Sequence, residues 1–455
     1  MIKEYFRSLK EDKYKRHIAL VFFLFAIFLI LFTEPYLNTF NTVSRYLAIE
    51  SIVEDRDFVV DDKYRATADI IYRDNHYYSS KPPILTIAAS SVYYVAHNFF
   101  NQDFPEFNDN TQMEYYYSIY PTVYVTGLIF VGFTFWLMLL YFYKTLHLVA
   151  VKKKYHLPLI LGLGLGTLLF SYSITLNNHT IAGSLLFIAF YYLLLIKKDN
   201  YKPLKLNKYL SLVGLFAALA AVIDLPTGLT FYALFFVYFL FKIGFKKIIY
   251  YLWPAFIIFS LHLYFNYQSF GGILPAQAYK EYWIGPDGEW INWEASPDFP
   301  YRNSWYFYLF NILIGTHGLF TYTPLLILSF YSIYKVIKEK TEYLWEALTV
   351  LFGFLIIMAF YVISSRAYGG TAYGFRWFIA VTPLIYFFTI LLGRHTFSKK
   401  LTFIFSIVFL WSILVAIIGA YDPWPPGFMF EAFGQNFLIP PIIVILNLMK
   451  AHVLY

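Results

Sequence analysis

The most informative stretch of this chain is residues 77–87, which have the sequence YYSSKPPILTI. It places Lys81 between a polar segment rich in acids and an apolar segment long enough to form a helix. A lysine ammonium offers three donors to a phosphate, and the rigid Pro82-Pro83 pair restricts the backbone beside it. We expect Lys81 to bind a phosphate at a membrane surface, with Tyr78 of the same motif as a further contact to that ligand.

Five carboxylates in the first part of the chain, Glu34, Glu50, Asp61, Asp62 and Asp69, are candidates for a base that removes a proton from an attacking group. Asp69 lies eight residues before Tyr77 among few competing charges, so it ranks first. Asp61 and Asp62 form a pair that could bind a divalent ion such as Mg²⁺ or Mn²⁺, although a solvated turn is the simpler interpretation. Glu34 closes the first apolar segment, where a carboxylate can also face lipid headgroups. We predict no resident metal or cofactor, with the divalent ion as the alternative.

Three arginines adjoin predicted membrane segments, where a charged side chain needs a partner or a ligand. They are Arg45, Arg366 and Arg376. Each guanidinium could bind a phosphate through paired donors, while a lipid headgroup or a structural salt bridge would explain them equally. Arg376 follows a glycine-rich segment, 368–375, which would let a ligand approach the backbone closely.

Two polar turns interrupt the apolar pattern further along the chain. His179 follows Asn177-Asn178 and is a candidate ligand of the substrate phosphate, although a hydrogen-bonded turn residue is the simpler interpretation. Asp224 precedes Leu225-Pro226 and is interpreted as a helix cap.

The composition is that of an integral membrane protein. Apolar residues make up 59% of the 455 residues and charged residues only 14%, too few to cover a soluble protein of this length. Apolar runs of about 17–27 residues match the hydrocarbon core of a bilayer, roughly 30 Å thick. There is no cysteine, which excludes disulfides and thiolate catalysis. The net charge of +7 is spread in short clusters between apolar runs, so we expect membrane lipids and no nucleic acid as partners.

Hydropathy predicts an all-α, polytopic membrane protein with 1–455 as a single membrane-embedded domain. About twelve spans are expected, at 18–37, 116–143, 157–176, 180–196, 209–224, 227–243, 248–266, 318–334, 344–364, 377–393, 401–420 and 437–453. If the further apolar run 84–100 also crossed, every later basic cluster would face outward, against the usual charge asymmetry. We therefore predict an amphipathic helix on the outer surface there, cytoplasmic termini, and long outer loops at 38–115 and 267–317.

Several segments occur in the order found in one family of membrane enzymes. Besides the motif around Lys81 they are Arg45-Tyr46 after the first span, 266–271, 315–320 and Gly369–Arg376. On these residues the chain resembles the C-type glycosyltransferases, in the branch that contains protein O-mannosyltransferases and the aminoarabinose transferase of lipid A. The resemblance implies a polyprenyl-phosphate-linked sugar as donor, a glycan, lipid or protein as acceptor, and surface helices in the first outer loop.

One position departs from that family. An acidic pair usually precedes the Arg-Tyr element there and supplies the catalytic carboxylate, whereas this chain has Thr42-Val43. The expected base therefore moves to Asp69, and after it to Asp61 or Asp62.

The leading hypothesis is an inverting hexosyl- or pentosyltransferase of the inner membrane, with its active site facing outside. A carboxylate would deprotonate the acceptor while Lys81 and Arg376 stabilise the leaving phosphate. We therefore expect Lys81 and Arg376 to line one cavity, with the carboxylate at its rim. A transporter or flippase of lipid-linked sugars is the alternative. Transporters favour ionisable residues at mid-membrane, whereas the predicted spans here are nearly free of charge.

Overall fold

The computed structural model describes residues 12–100, 107, 112–201, 205–292, 304–365, 368–370, 372–394 and 397–424. This part of the chain is mostly helical. Eight helices are apolar and long enough to cross a membrane, which supports a multi-pass membrane protein. They are Lys13–Phe32, Pro121–Leu148, Asn178–Lys198, Leu206–Ile223, Leu225–Ile243, Phe245–Phe270, Leu344–Ser364 and Lys399–Tyr421.

Three further predicted spans are shorter or interrupted helices, and the last, 437–453, lies outside the described residues. The segment 157–176 forms His156–Leu165 and Leu168–Ser171, and 318–334 forms Leu319–Tyr322 and Leu326–Lys338. The segment 377–393 forms a turn, Arg376–Phe378, followed by the helix Thr382–Leu392.

The two interruptions lie together. Thr167 is extended between the first two pieces, and Thr323 is non-helical before Pro324, which has no amide hydrogen to donate. The backbone amide of Leu168 donates to Oγ1 of Thr323 at 3.3 Å. The interrupted helix at Thr167 therefore has a free amide that is hydrogen-bonded by the threonine of the other interruption.

A β-hairpin is the one element type that the all-α prediction did not include. Strands Ile70–Arg73 and His76–Ser79 pair antiparallel, with Ile70 opposite Ser79. Asp74 and Asn75 both have positive φ, as a two-residue hairpin turn requires. The hairpin lies within the first predicted outer loop, after the helix Phe40–Glu54 and the turn Asp61–Ala66.

The segment 84–100 forms a helix, Pro83–Phe100, that is not among the eight candidate spans. Its buried face includes Leu85, Ala89 and Tyr93, at a helical spacing of four residues. This face packs against the helix Phe40–Glu54, and the hydroxyl of Tyr93 donates to Oε1 of Glu54 at 3.0 Å. Its other face leaves apolar side chains exposed, among them Tyr94, Val95 and Phe99.

The long helices have two distinct ends. At what we call the hairpin end, the amide of Glu34 donates to the carbonyl of Ile174 at 2.7 Å, and Arg73 of the hairpin donates to the carbonyl of Phe270. At the opposite end, the lysine end, the Lys197 ammonium binds Glu346 at 2.6 Å. Short helices complete the described part of the chain, at Gln112–Tyr117, Lys153–Tyr155, Ala276–Ala278, Lys280–Trp283 and Trp305–Leu313.

Candidate functional site

The register of the hairpin brings Asp69 and Lys81 together. Asp69 precedes the first strand and Lys81 follows the second, and the amide of Ser80 donates to the Asp69 carbonyl at 3.2 Å. The Lys81 ammonium lies 2.7 Å from Oδ2 of Asp69, and the two side chains are only 10% and 22% exposed. This ion pair is the first component of the candidate site.

Arg45 anchors the chain beside that ion pair. It is buried in the helix Phe40–Glu54, and its Nη1 donates to Oγ1 of Thr86 at 3.3 Å and to the carbonyl of Pro82 at 3.4 Å. Burial lowers the pKa of Arg45 to about 10, while the charge of Asp69 opposes the shift. An arginine with this pKa is still cationic at neutral pH.

Arg376 approaches the same place from the other half of the chain. Its guanidinium lies over the ring of Trp424, 5.0 Å from the centroid, and its buried Nε has no hydrogen-bond partner among the described residues. Burial lowers the pKa of the Lys81 ammonium; the Asp69 carboxylate opposes this shift, and the charges of Arg376 and Arg45 add to it. Both arginines are therefore within electrostatic reach of Lys81.

We call Arg45, Lys81 and Arg376 the cationic cluster. The Asp69 carboxylate compensates one of the positive charges of this cluster. A buried charge without such a partner destabilises the protein by roughly several kcal/mol. An anion bound between the three side chains would supply the missing charge. Phosphate suits this role because both ammonium and guanidinium groups donate to its oxygens.

Two small clefts meet at Lys81. One is lined in part by Ser79, Thr86 and Ser269. The other is lined on one side by Ser80, Lys81 and Pro82 and on the other by residues of later segments, namely Leu225, His262, Asn266, Phe270, Pro275, Ala276 and Gln277. The side-chain amide of Gln277 donates to the Ser80 carbonyl at 3.2 Å, which ties the second predicted outer loop to the hairpin.

Glu34 is linked to the cationic cluster through Trp424. The indole of Trp424 donates to Oγ1 of Thr175 at 2.9 Å, and Thr175 in turn hydrogen-bonds Glu34. The Glu34 side chain as a whole is half-buried, but protein atoms surround its carboxylate and exclude water from it. Burial raises the pKa of Glu34 to about 7, opposed by hydrogen bonds from Asn38 and Thr175 and reinforced by the charge of Asp422. A carboxyl group with this pKa can exchange a proton near neutral pH.

His179 and Asp224 form a buried pair at the hairpin end. Nδ1 of His179 lies 2.7 Å from Oδ2 of Asp224, and the side chains are 6% and 2% exposed. Asp224 occupies the N-cap position of the helix Leu225–Ile243, as predicted, but its side chain makes no capping hydrogen bond and pairs with the imidazole instead. Asn177 caps the helix that carries His179, accepting from the amide of Thr180 at 2.8 Å.

Asp61 and Asp62 lie away from Lys81. Asp61 accepts from the amide of Tyr77 at 2.7 Å and contacts Nδ1 of His76 at 2.6 Å, so it binds the turn end of the hairpin. Tyr77 and Lys81 are separated by four residues, up to about 13 Å of extended chain. Asp62 is exposed. In the part of the chain that the structure describes, no group of three or more acidic or histidine side chains could hold a metal ion.

Tyr78 does not face the cationic cluster. Successive side chains of a strand point to opposite faces, so Tyr78 and Ser79 diverge. Its ring packs in a small apolar cluster with Phe270 and Trp283 of the second predicted outer loop. Its predicted contact with a ligand stays a prediction beside this packing role, and Arg366 lies outside the described residues.

The site residues that sequence reasoning ranked low or missed are those whose partners are distant in sequence. Glu34 binds Thr175, and Trp424 covers Arg376, although each pair is separated by tens of residues or more. The signal for His179 and Asp224 was present, since both are polar residues at turns between apolar helices. Their pairing was not readable from that pattern.

The chain was also compared with family models, with curated proteins and with solved structures. None of the three comparisons finds a match.

Proposed function

We propose that this chain is a membrane glycosyltransferase that moves a sugar from a polyprenyl-phosphate carrier to an acceptor outside the cytoplasm. The observation that supports this most is the cationic cluster around Asp69. Arg45 is buried, Lys81 is only 10% exposed, and both arginines are within electrostatic reach of Lys81. Among the described residues, Asp69 is the one carboxylate that forms an ion pair with this cluster. The motif resemblance to C-type glycosyltransferases agrees with it.

The cluster suits the departing phosphate of such a donor. When the bond between the anomeric carbon and the phosphate oxygen breaks, the electron pair stays on that oxygen and its negative charge grows. Preorganised cations stabilise this developing charge more than the ground state, which lowers the barrier. Lys81 and Arg376, whose Nε has no partner in the part of the chain that the structure describes, are the donors best placed for this step.

Transfer also needs a group that accepts the proton of the incoming hydroxyl. Two carboxylates are candidates from their surroundings. Asp69 borders the cluster but shares its Oδ2 with Lys81, and Glu34 has a pKa raised to about 7 by burial. We propose inversion at the anomeric carbon by a single displacement, with a glycan, a lipid or a protein as acceptor and no resident metal.

The distribution of charge supports an outward-facing site. Basic residues that follow the long helices gather at the lysine end, including Lys152–Lys154, Lys197 and Arg394. Positively charged loops are retained in the cytoplasm, so we propose that the hairpin end faces outward in the inner membrane. We further propose twelve spans, with Pro83–Phe100 lying on the outer surface.

The direct test of this function is mass spectrometry of envelope lipids and glycans from cells with and without the protein. Loss of the protein should cause one polyprenyl-phosphate-linked sugar to accumulate and one glycan, lipid or protein to lose that sugar. An unchanged lipid-linked sugar pool together with unchanged acceptors would contradict the proposal.

A flippase of lipid-linked sugars is a second candidate, because interrupted helices are frequent in transporters. The breaks at Thr167 and Thr323 are of this kind. The charged residues of the cationic cluster and Asp69, however, lie outside the eight long apolar helices, which favours transfer. Proteoliposomes that hold a fluorescent lipid-linked sugar separate the two: movement of the lipid between leaflets without loss of its sugar would favour the flippase.

A further inference from the structure

The buried pair of His179 and Asp224 has the arrangement of a histidine base with its orienting carboxylate. His179 is in the first turn of the helix Asn178–Lys198, and Asp224 joins the helices Leu206–Ile223 and Leu225–Ile243. Their contact, 2.7 Å between Nδ1 and Oδ2, crosses 45 residues of sequence. An ionised carboxylate only accepts hydrogen bonds, so the imidazole donates its Nδ1 hydrogen to Asp224.

This hydrogen bond leaves Nε2 of His179 with a lone pair. Among the described residues Nε2 has no hydrogen-bond partner, although the side chain is only 6% exposed. A nitrogen with a lone pair and no partner among these residues can accept a proton from a ligand. Because Asp224 is also buried, its charge would stabilise the imidazolium that forms.

The segments that carry the pair adjoin the segment of Arg376 on one side and the cleft at Lys81 on the other. Gly183 is one helical turn after His179 on the same face, and a Cβ there would lie 3.0 Å from Cα of Ala380. This close approach holds the helix against the segment that begins with Arg376. On the other side Leu225, the neighbour of Asp224, lines the same cleft as Lys81.

We propose that His179 is the proton acceptor for the incoming hydroxyl and that Asp224 positions its imidazole; this assignment rests on the proposed glycosyl transfer. The acceptor oxygen forms a bond to the anomeric carbon while the carbon–oxygen bond to the phosphate breaks. The bonding pair leaves with the phosphate, which is released as polyprenyl phosphate held by the cationic cluster. The hydroxyl proton moves to Nε2, and the imidazolium later releases it to water.

The proposal gives Asp69 a different task. Its Oδ2 is held by the Lys81 ammonium at 2.7 Å, so it would have to break this ion pair before taking a proton. No such bond engages Nε2 of His179 among the described residues. Asp69 then serves to hold Lys81 in place until the phosphate arrives.

The test uses the full-length protein in lipid nanodiscs, with a synthetic polyprenyl-phosphate sugar and the acceptor found by the envelope analysis. We expect His179→Ala to lower kcat by about 10²–10⁴-fold, the usual effect of losing a general base, with little change in donor affinity. Added imidazole should restore a measurable part of kcat in this variant. Asp224→Asn should lower kcat without rescue by imidazole, and Asp224→Glu should retain more activity than Asp224→Asn.

His156→Ala is the matched control. His156 is also buried and also hydrogen-bonded through Nδ1, to the hydroxyl of Tyr14, but it lies at the lysine end. It should keep wild-type kcat and show no response to imidazole. Wild-type kcat in a folded His179→Ala or His179→Gln variant would overturn the assignment, and so would a loss of kcat that imidazole never restores in His179→Ala. Absence of transfer by the wild-type protein would instead overturn the proposed function itself.

Discussion

The ammonium of Lys81 lies 2.7 Å from Oδ2 of Asp69, at a point where the strands of the hairpin end. The two residues are twelve positions apart, and only the antiparallel pairing of Ile70 with Ser79 makes them neighbours. Arg45 and Arg376 reach the same ion pair from two other parts of the chain, so that positive charge exceeds negative charge there.

Replacing Lys81 or Arg376 by alanine should weaken donor binding and also lower turnover. A hydrogen bond to a charged group contributes about 1.5–3 kcal/mol, so each loss should reduce kcat/KM by about 10–100-fold. Arg376→Lys should recover only part of this, because lysine lacks the paired donors of the guanidinium. Lys280→Ala, at an exposed lysine of the second predicted outer loop, is the control and should leave kcat/KM unchanged.

Replacing Asp69 by asparagine should make donor binding more sensitive to alkaline pH. Burial lowers the pKa of Lys81 and Asp69 opposes that shift, so removing the carboxylate lowers the pKa further. At neutral pH the affinity of the variant for the donor should equal that of the wild type. As the pH is raised, the variant should lose affinity at a lower pH than the wild type does. Titration of binding by tryptophan fluorescence between pH 6 and about 10.4, the ordinary pKa of lysine, measures this.

A contrary outcome for Asp69→Asn is equally informative. If turnover vanished while donor affinity stayed at the wild-type value at every pH, Asp69 would be the base. That result would restore the ranking expected from the sequence and remove His179 from the role assigned to it.

Replacing Glu34 by glutamine should stabilise the protein at alkaline pH and leave it unchanged at acidic pH. Burial raises the pKa of Glu34 to about 7, above the 4.5 of the unfolded chain. The folded state therefore loses stability from this group as pH rises between those two values. Melting temperatures in detergent at pH 5 and pH 8 should differ less for Glu34→Gln than for the wild type. An equal difference in both proteins would show that Glu34 titrates normally.

The absence of cysteine makes the proposed topology easy to test, because single introduced cysteines give no background. A membrane-impermeant maleimide added to intact spheroplasts should label Gln102→Cys and Lys280→Cys. It should not label Ser398→Cys until the membrane is opened, since Ser398 begins a helix at the lysine end. Labelling of Ser398→Cys from outside, or protection of Gln102→Cys, would rule out an outer-surface position for Pro83–Phe100.

Hydropathy located most of the helices, because membrane helices satisfy their backbone groups locally and so leave a local signal. It did not reveal the break at Thr323, although Pro324 is a visible cause of it. The hairpin was also missed, despite the Asp74-Asn75 turn between two short runs rich in tyrosine and isoleucine. In both cases apolar composition outweighed a short turn signal.

The candidate site was predictable in its residue types and much less in its pairings. Lys81 and Arg376 were predictable because a cationic side chain next to an apolar segment needs a partner or a ligand. Asp69 was predictable because few other charged residues are near it in the sequence. The contact of Glu34 with Thr175 and that of His179 with Asp224 depend on how distant helices pack. No periodicity in one sequence encodes such a contact, so the ranking of the carboxylates needed the structure.

The central claim is that the cationic cluster stabilises a phosphate that leaves a sugar. The most direct measurement is the release of polyprenyl phosphate from a synthetic polyprenyl-phosphate sugar by the purified protein in nanodiscs, followed by mass spectrometry in the presence of the acceptor. The account predicts release coupled one-to-one with glycosylated acceptor, reduced at least 100-fold when Lys81 and Arg376 are both replaced by alanine, as two charge-assisted contacts would require. Release that is undetectable for the wild-type protein, or undiminished in the double variant, would contradict it.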